Sequence, residues 1–128
     1  MKWLIAVAVL LATSFSAHCA DEASMDYSWK GVVACRTLSD SPAFKFKHFP
    51  RDAKTVRLFL TEGSREMGGQ EVLLPESGLV PAGAARTFSP CNPGYYRWTA
   101  VFKSATGQIL GQVQQSRFYP TDEVLPEK

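Results

Sequence analysis

Apolar and polar side chains alternate with a period of two over several segments of this chain. In residues 43–49, for example, Phe44 and Phe46 alternate with Lys45 and Lys47. Such alternation places the apolar side chains on one face of a β-strand. The pattern predicts strands over 43–49, 55–61, 95–103 and 108–118, with weaker candidates at 27–36 and 70–74. The side chains predicted to face inward are Phe44, Phe46, His48, Val56, Leu58, Leu60, Tyr96, Trp98, Ala100 and Phe102.

Proline and glycine punctuate the gaps between these segments, and no long stretch keeps helical spacing free of them. Residues 104–107, Ser-Ala-Thr-Gly, are predicted to form the turn of a hairpin, because Gly107 can adopt a positive φ. Short strands separated by turn signals are typical of a β-sandwich. The sequence therefore predicts an all-β protein, a disulfide-stapled antiparallel sandwich.

The N-terminal residues 1–20 have the composition of a secretory signal peptide. Lys2 precedes an apolar run over residues 3–12, and small residues follow. That run is shorter than the roughly 20 apolar residues that cross a bilayer, and no later segment reaches that length, so we predict no membrane span. Cleavage is expected after residue 19 or 20. A lipid anchor on Cys19 is the less favoured alternative, because His18 stands where a lipobox has a small residue.

Export places the protein in an oxidising compartment, either periplasmic or extracellular. Once the leader is removed, Cys35 and Cys91 are the two cysteines that remain, and they are predicted to form a disulfide. The rest of the chain divides into a single sandwich domain over 21–119 and a loose C-terminal tail over 120–128.

Composition excludes several classes of function. The chain has 14 Lys and Arg against 12 Asp and Glu, a net charge of +2, which becomes 13 − 12 = +1 without Lys2. A nucleic-acid-binding protein would show a larger basic excess. His48 is the single histidine after the leader, so neither a zinc site nor a Ser-His-Asp site is expected. We therefore expect a monomeric binding domain that is not an enzyme and uses no metal or cofactor.

Two segments carry a family resemblance. In the first, Cys35 is followed six residues later by Ser41-Pro42 and then by an alternating strand. The second reads Ser-Pro-Cys-Asn-Pro-Gly-Tyr-Tyr-Arg-Trp over 89–98. Together they resemble the phosphatidylethanolamine-binding protein family, in its bacterial Raf-kinase-inhibitor-like branch. The resemblance covers residues 35–61 and 89–103.

This resemblance implies a β-fold with a pocket for a small anionic ligand. The family's Asp-x-Asp-Ala-Pro segment is replaced here by Thr61-Glu62-Gly63, and its central His-Trp strand is absent, so we expect a reduced pocket. A ligand or protein partner would meet the segments 62–70 and 89–95, which we predict to be loops. The ligand-binding residues implied in this way are Ser89, Pro90, Pro93, Arg97 and Glu62.

A second resemblance leaves another function open. Pro-Gly-Tyr-Tyr-x-Trp over 93–98, followed by the turn at Gly107 and a strand, is similar to the last hairpin of bacterial immunoglobulin-like and fibronectin type III modules. It implies a structural or interaction module of the cell envelope with a protein partner. The glutamine-rich segment 112–115 is then a candidate exposed edge for strand addition.

Overall fold

The computed structural model describes residues 22–126, so the predicted leader, Cys19 included, lies outside the described residues. The described chain forms strands joined by turns and loops, without a helix. The strands are β1 (Ser24–Asp26), β2 (Ser39–Asp40), β3 (Phe44–Lys47), β4 (Thr55–Glu62), β5 (Arg65–Leu73), β6 (Leu79–Val80), β7 (Arg86–Thr87), β8 (Gly94–Lys103), β9 (Ile109–Tyr119) and β10 (Val124–Leu125).

Two antiparallel sheets form the sandwich that the sequence predicts. The smaller sheet has the strand order β1-β3-β6 and the larger one the order β10-β9-β8-β4-β5. The short strands β2 and β7 pair separately. Strands β8 and β9 are the longest, and their hairpin turns at residues 104–107, where Gly107 has a φ of 90°. The hairpin prediction is therefore confirmed.

The core lies between the two sheets and is rich in aromatic side chains. Phe44 of β3 packs edge-on against Trp98 of β8, with ring centroids 5.0 Å apart. The rings of Phe46 and Phe102 also pack edge-on across the sandwich, with centroids 5.4 Å apart. The alternation predicted for β3, β4 and β8 is confirmed, because every apolar residue assigned to the inner face is buried. These residues are Phe44, Phe46, Val56, Leu58, Leu60, Tyr96, Trp98, Ala100 and Phe102.

One inward assignment is wrong. His48 is exposed, because its backbone leaves the extended conformation with a φ of 58° and ends β3 at Lys47. The chain then turns so that Phe49, rather than His48, continues the core. The Phe49 ring stacks on Phe102 with a centroid distance of 5.8 Å.

The two weaker strand candidates also differ from the structure. Residues 27–36 form turns rather than a strand, and Cys35 itself has a φ of 60°. The candidate at 70–74 is the second half of β5, which begins at Arg65. The segment 62–70, predicted to be a loop, is therefore mostly a strand paired with β4, with a tight turn at Gly63 (φ 60°) between them.

The C-terminal segment is more ordered than the loose tail that the sequence predicts. Strand β10 pairs with Ser116 and Arg117 of β9. The turn between them is held by the Asp122 carboxylate, which accepts a hydrogen bond of 2.8 Å from the Trp29 amide. Residues 120–126 are thus part of the larger sheet and its last turn.

The predicted disulfide between Cys35 and Cys91 is present. It joins the loop before β2 to the loop before β8. The Cys35 amide also donates to the Pro90 carbonyl at 3.0 Å, so the two loops are linked by backbone as well as by sulfur.

Candidate functional site

Ser89 and Pro90, two of the predicted ligand residues, are buried beside the disulfide. The Ser89 hydroxyl accepts a hydrogen bond of 2.8 Å from the Arg36 amide, and the Ser89 amide donates to the Arg36 carbonyl at 3.0 Å. The cavity next to them is about 10 Å³ in volume. That space suits a single water molecule rather than a headgroup or a phosphate.

The side chain of Trp98 also borders this small cavity. Trp98 lines the cavity, and its Nε1 has no hydrogen-bond partner among the described residues. A buried donor of this kind costs free energy unless it is satisfied.

Arg97, Glu62 and Pro93 lie elsewhere. Arg97 alternates with the buried Tyr96 and Trp98, so its side chain is on the outer face of the larger sheet, where Nε donates to Ser116 Oγ at 3.3 Å. Glu62 forms an ion pair of 2.8 Å with Arg65 at the tip of the β4–β5 hairpin.

Pro93 is exposed in the turn before β8. The larger sheet thus separates Arg97 from the cavity at Pro90. Within residues 22–126, the five predicted residues do not line one common cavity, and anion binding there stays a prediction.

Groups with perturbed acidity do not converge on a reaction site. Burial raises the pKa of Tyr27 well above its ordinary value of 10.0, and its hydroxyl donates to the Gln115 carbonyl at 3.0 Å. The pKa of Glu71 is lowered, chiefly by its hydrogen bond from Lys103. Tyr27 lies in the core and Glu71 on β5, so each shift is explained by its own packing and they share no cleft.

Two further observations concern the described residues alone. They contain no cluster of three or more histidine, cysteine or carboxylate side chains with the arrangement of a metal site. They also include no helix with the length and apolar character needed to cross a membrane.

A pocket of about 640 Å³ lies at the end of β1 and β3. One part of its polar wall is Arg117, whose guanidinium forms an ion pair with Asp26 and donates to Gln115 and to the Asp122 carbonyl. The guanidinium also lies over the Tyr27 ring, 5.3 Å from its centroid. These contacts engage the arginine within the protein, whereas Lys45 and Ser28 also line the pocket, so its wall is polar as well as apolar.

The second large concavity runs along β9. It is a groove of about 670 Å³ between the N-terminal end of β1 and the open side of β9. Its floor includes Phe102, which is completely buried, and Pro50 forms part of the rim. The lining residues are Glu22, Ala23, His48, Pro50, Phe102, Leu110, Gly111, Gln112, Val113 and Gln114.

The backbone of β9 directs hydrogen-bonding groups toward this groove. The Phe118 amide donates to the Glu123 carbonyl and the Phe118 carbonyl accepts from the Asp122 amide, both at 2.8 Å, so Phe118 points both groups away from β8. Backbone groups alternate in direction along a strand. The same edge therefore receives the amides and carbonyls of Gln112 and Gln114, whereas within the described residues β10 pairs with Ser116 and Arg117.

Other sheet edges in the described chain are short, charged or covered. Strand β5 carries Arg65, Glu66 and Glu71, and its Met67 carbonyl accepts a hydrogen bond from the Phe88 amide at 2.9 Å. Strands β6 and β10 have two residues each, and β1 has three. By contrast, residues 109–115 of β9 have no charged side chain. Long uncharged edges are the ones that accept another strand.

The sequence identified part of this site. Residues 112–115 were predicted to be an exposed edge, and the structure leaves their outer side uncovered by β10. The sequence did not predict the groove residues that lie outside β9, which are Glu22, Ala23, His48, Pro50 and Phe102. No local signal joins them, because they come together only through the packing of the two sheets.

No family model, no curated protein and no solved structure matches the chain.

Proposed function

We propose that this protein is an exported, non-enzymatic interaction module that binds an extended segment of a protein by strand addition to the edge of β9. The observation that carries the proposal is the uncharged edge over residues 109–115, which lies open beside the groove of about 670 Å³. In strand addition, backbone hydrogen bonds supply affinity and pockets for alternate side chains supply specificity. This edge and groove offer both.

The strand order supports the interpretation as an immunoglobulin-like module. Such sandwiches place their first, second and fifth strands in one sheet, and their third, sixth and seventh in the other. Leaving aside the short strands β2, β7 and β10, the first, second and fifth strands here form β1-β3-β6, and the third, sixth and seventh lie together in the sheet β9-β8-β4-β5. The fourth strand, β5, joins the larger sheet, whereas constant-type domains place it in the smaller one. Modules of this architecture expose sheet edges and loops to partners.

Tyr96 provides a second feature of this architecture. Its hydroxyl donates to the Asn92 carbonyl at 2.8 Å, four residues upstream, at the start of β8. Immunoglobulin-like sandwiches often have a tyrosine at the start of their sixth strand that donates back to the preceding backbone in this way. This contact supports the same proposal independently of strand order.

Export is supported by the disulfide. The bond between Cys35 and Cys91 joins two exposed residues and is compatible with an oxidising extracellular compartment. Together with the leader composition of residues 1–20, it supports function in the periplasm or outside the cell.

The groove defines what a bound segment needs. A strand added to β9 would direct alternate side chains toward the outer face and toward the inter-sheet side. On the inter-sheet side, the groove floor at Phe102 and Val113 is apolar. The bound segment is therefore expected to carry at least one apolar side chain at alternate positions, flanked by uncharged residues that match Gln112 and Gln114.

Photo-crosslinking in the native host tests this function. A photoreactive residue replaces Gln112 on the open edge, and the matched control replaces Glu71 on β5. We expect a discrete crosslinked protein at the first position only. Adding Gln114→Pro should abolish the product, because proline removes an outward-facing amide without removing a bond to β8. Equal crosslinking at both positions, or a product unaffected by Gln114→Pro, would contradict the proposal.

A further inference from the structure

We propose that the pocket of about 640 Å³ at the end of β1 and β3 binds a small amphipathic organic anion, a molecule with a carboxylate on an apolar body. This inference goes beyond the proposed function, because the pocket shares no lining residue with the groove along β9. It also contains none of the five residues that the sequence assigned to a ligand. Small-molecule sites typically have volumes of roughly 300–1,000 Å³, a range that includes this pocket.

The pocket forms where β1 and β3 separate. Asp26 and Lys45 are the last residues that pair between the two strands. Beyond Asp26, the Ser28 hydroxyl and the Trp29 amide both donate to the Asp122 carboxylate, which lies on the turn after β9. These hydrogen bonds direct the chain toward the larger sheet, while β3 stays paired with β6. The gap between the two strands is therefore fixed by tertiary contacts.

One side of the pocket is apolar and open to solvent. Leu79 of β6 lines it and is 54% exposed. Pro81 and Ala43 continue the apolar lining, and the side chains of Phe44 and Val80 next to them are buried. An apolar ligand body that lies against Leu79 would remove this surface from water, which favours binding.

The cations of the pocket can still donate hydrogen bonds. The Lys45 ammonium makes no hydrogen bond or ion pair with another residue of the described chain. Three of the five N–H groups of Arg117 donate within the protein, to Gln115, to Asp26 and to the Asp122 carbonyl. The other two remain available to a ligand in the pocket.

The carboxylates of the pocket are already engaged. Asp26 forms its ion pair with Arg117, and Asp122 accepts the two hydrogen bonds that direct the chain away from β3. A cationic ligand would have to compete with these partners, whereas an anionic head can accept from Lys45 and Arg117 without displacing any of them. Because Lys45 and Leu79 are cross-strand neighbours, one small molecule can contact both through its head and its apolar body.

Titration of the exported, oxidised protein with octanoate tests the proposal, with binding followed by amide NMR spectra. We expect saturable shifts at Lys45, Leu79 and Arg117, with a dissociation constant of about 1 mM for a ligand of this size. Octanol lacks the charge and should bind about threefold more weakly or worse. Octylammonium reverses the charge and should give no saturable shifts at these residues.

Two pairs of variants at exposed positions locate the site. Lys45→Gln removes the available cation and should weaken octanoate binding by about fivefold. Its matched control, Lys47→Gln, lowers the net charge equally at a position of β3 outside the pocket and should change the affinity by less than about twofold. Leu79→Ala should weaken binding by about threefold, whereas Leu73→Ala, at an exposed leucine of β5, should leave it unchanged.

Thermal unfolding midpoints close to that of the parent confirm that the four variants fold. Absence of saturable shifts up to about 10 mM octanoate overturns the proposal, as does equal binding of octanoate and octylammonium. Equal weakening by Lys45→Gln and Lys47→Gln would also overturn it, because binding would then follow net charge rather than this pocket. Crosslinking through position 112 tests the proposed function separately, since that position lies outside the pocket, so either proposal can fail without the other.

Discussion

Removing the disulfide is the perturbation whose effect on stability can be worked out most fully. The double substitution Cys35→Ser with Cys91→Ser deletes the bond and leaves no unpaired thiol. Both cysteines are exposed, so the substitutions open no cavity in the core. The effect should therefore come mainly from the unfolded chain, which gains conformational freedom when the crosslink is removed.

The size of that effect follows from the loop that the bond closes. The two cysteines are 56 residues apart. In the chain-entropy relation, closure of a loop of this length stabilises the folded state by about 4 kcal/mol. The hydrogen bonds between the two loops, from the Cys35 amide to Pro90 and from the Ser89 amide to Arg36, do not depend on sulfur and should persist. These hydrogen bonds keep the two loops in their native geometry, but they do not limit the conformational entropy that the unfolded chain gains when the disulfide is removed.

Equilibrium urea unfolding provides the assay. With a denaturant slope of about 2 kcal/mol per molar urea, a loss of about 4 kcal/mol lowers the unfolding midpoint by about 2 M. The parent protein reduced with a small thiol is the matched control and should unfold near the variant. A loss smaller than about 1 kcal/mol would refute this reasoning, because the bond would then contribute little through the unfolded chain.

Two further predictions concern a buried tyrosine and a crowded turn. Tyr27→Phe should destabilise the protein by about 1 kcal/mol at neutral pH through the lost hydrogen bond to Gln115. Because burial raises the pKa of Tyr27 in the folded state, ionisation of Tyr27 in the unfolded chain lowers the stability of the parent above pH 10 by about 1.4 kcal/mol per pH unit, a contribution that the variant lacks. Plotted against pH from 7 to about 11, the free energies of unfolding of the parent and the variant should therefore converge and then cross. A constant difference between the two would contradict a raised pKa for Tyr27. Gly78→Ala should destabilise by several kcal/mol more than Gly107→Ala, since both glycines have positive φ but an added Cβ meets the Phe46 carbonyl oxygen at 2.3 Å only at Gly78. Equal melting temperatures for the two variants would show that the turn at Gly78 relaxes freely.

Much of the sandwich could be predicted because strand periodicity is a local property of the sequence. Alternation identified the inner faces of β3, β4 and β8, since each of these strands has one buried face and one polar face. The disulfide followed from counting cysteines. These predictions needed no knowledge of which strand neighbours which.

Predictions failed where a single backbone angle or a distant contact decides the outcome. His48 continues the alternation of β3 in sequence, yet its φ of 58° ends the strand. Tyr27 and Trp29 are apolar and buried, but they reach the core from a turn rather than from a strand. The tail was predicted to be loose because its contacts, such as Asp122 with the Trp29 amide, join residues 93 positions apart.

The candidate site shows the same limit. A glutamine-rich, uncharged strand suggests an exposed edge from sequence alone. The sequence does not show which part of that strand is open. This depends on two tertiary pairings, because β10 pairs with Ser116 and Arg117 on one edge of β9 and β8 occupies the opposite edge. Likewise, Arg97 and Pro90 are close in sequence, but the sheet between them places their side chains on opposite sides.

The most direct test of the account is residue-resolved amide hydrogen exchange along β9. In dilute protein, the amides of Gln112 and Gln114 should exchange rapidly because they face solvent, whereas those of Val113 and Gln115 should be protected by β8. Protection of the Gln112 and Gln114 amides equal to that of Val113 and Gln115 would contradict an open edge at these residues.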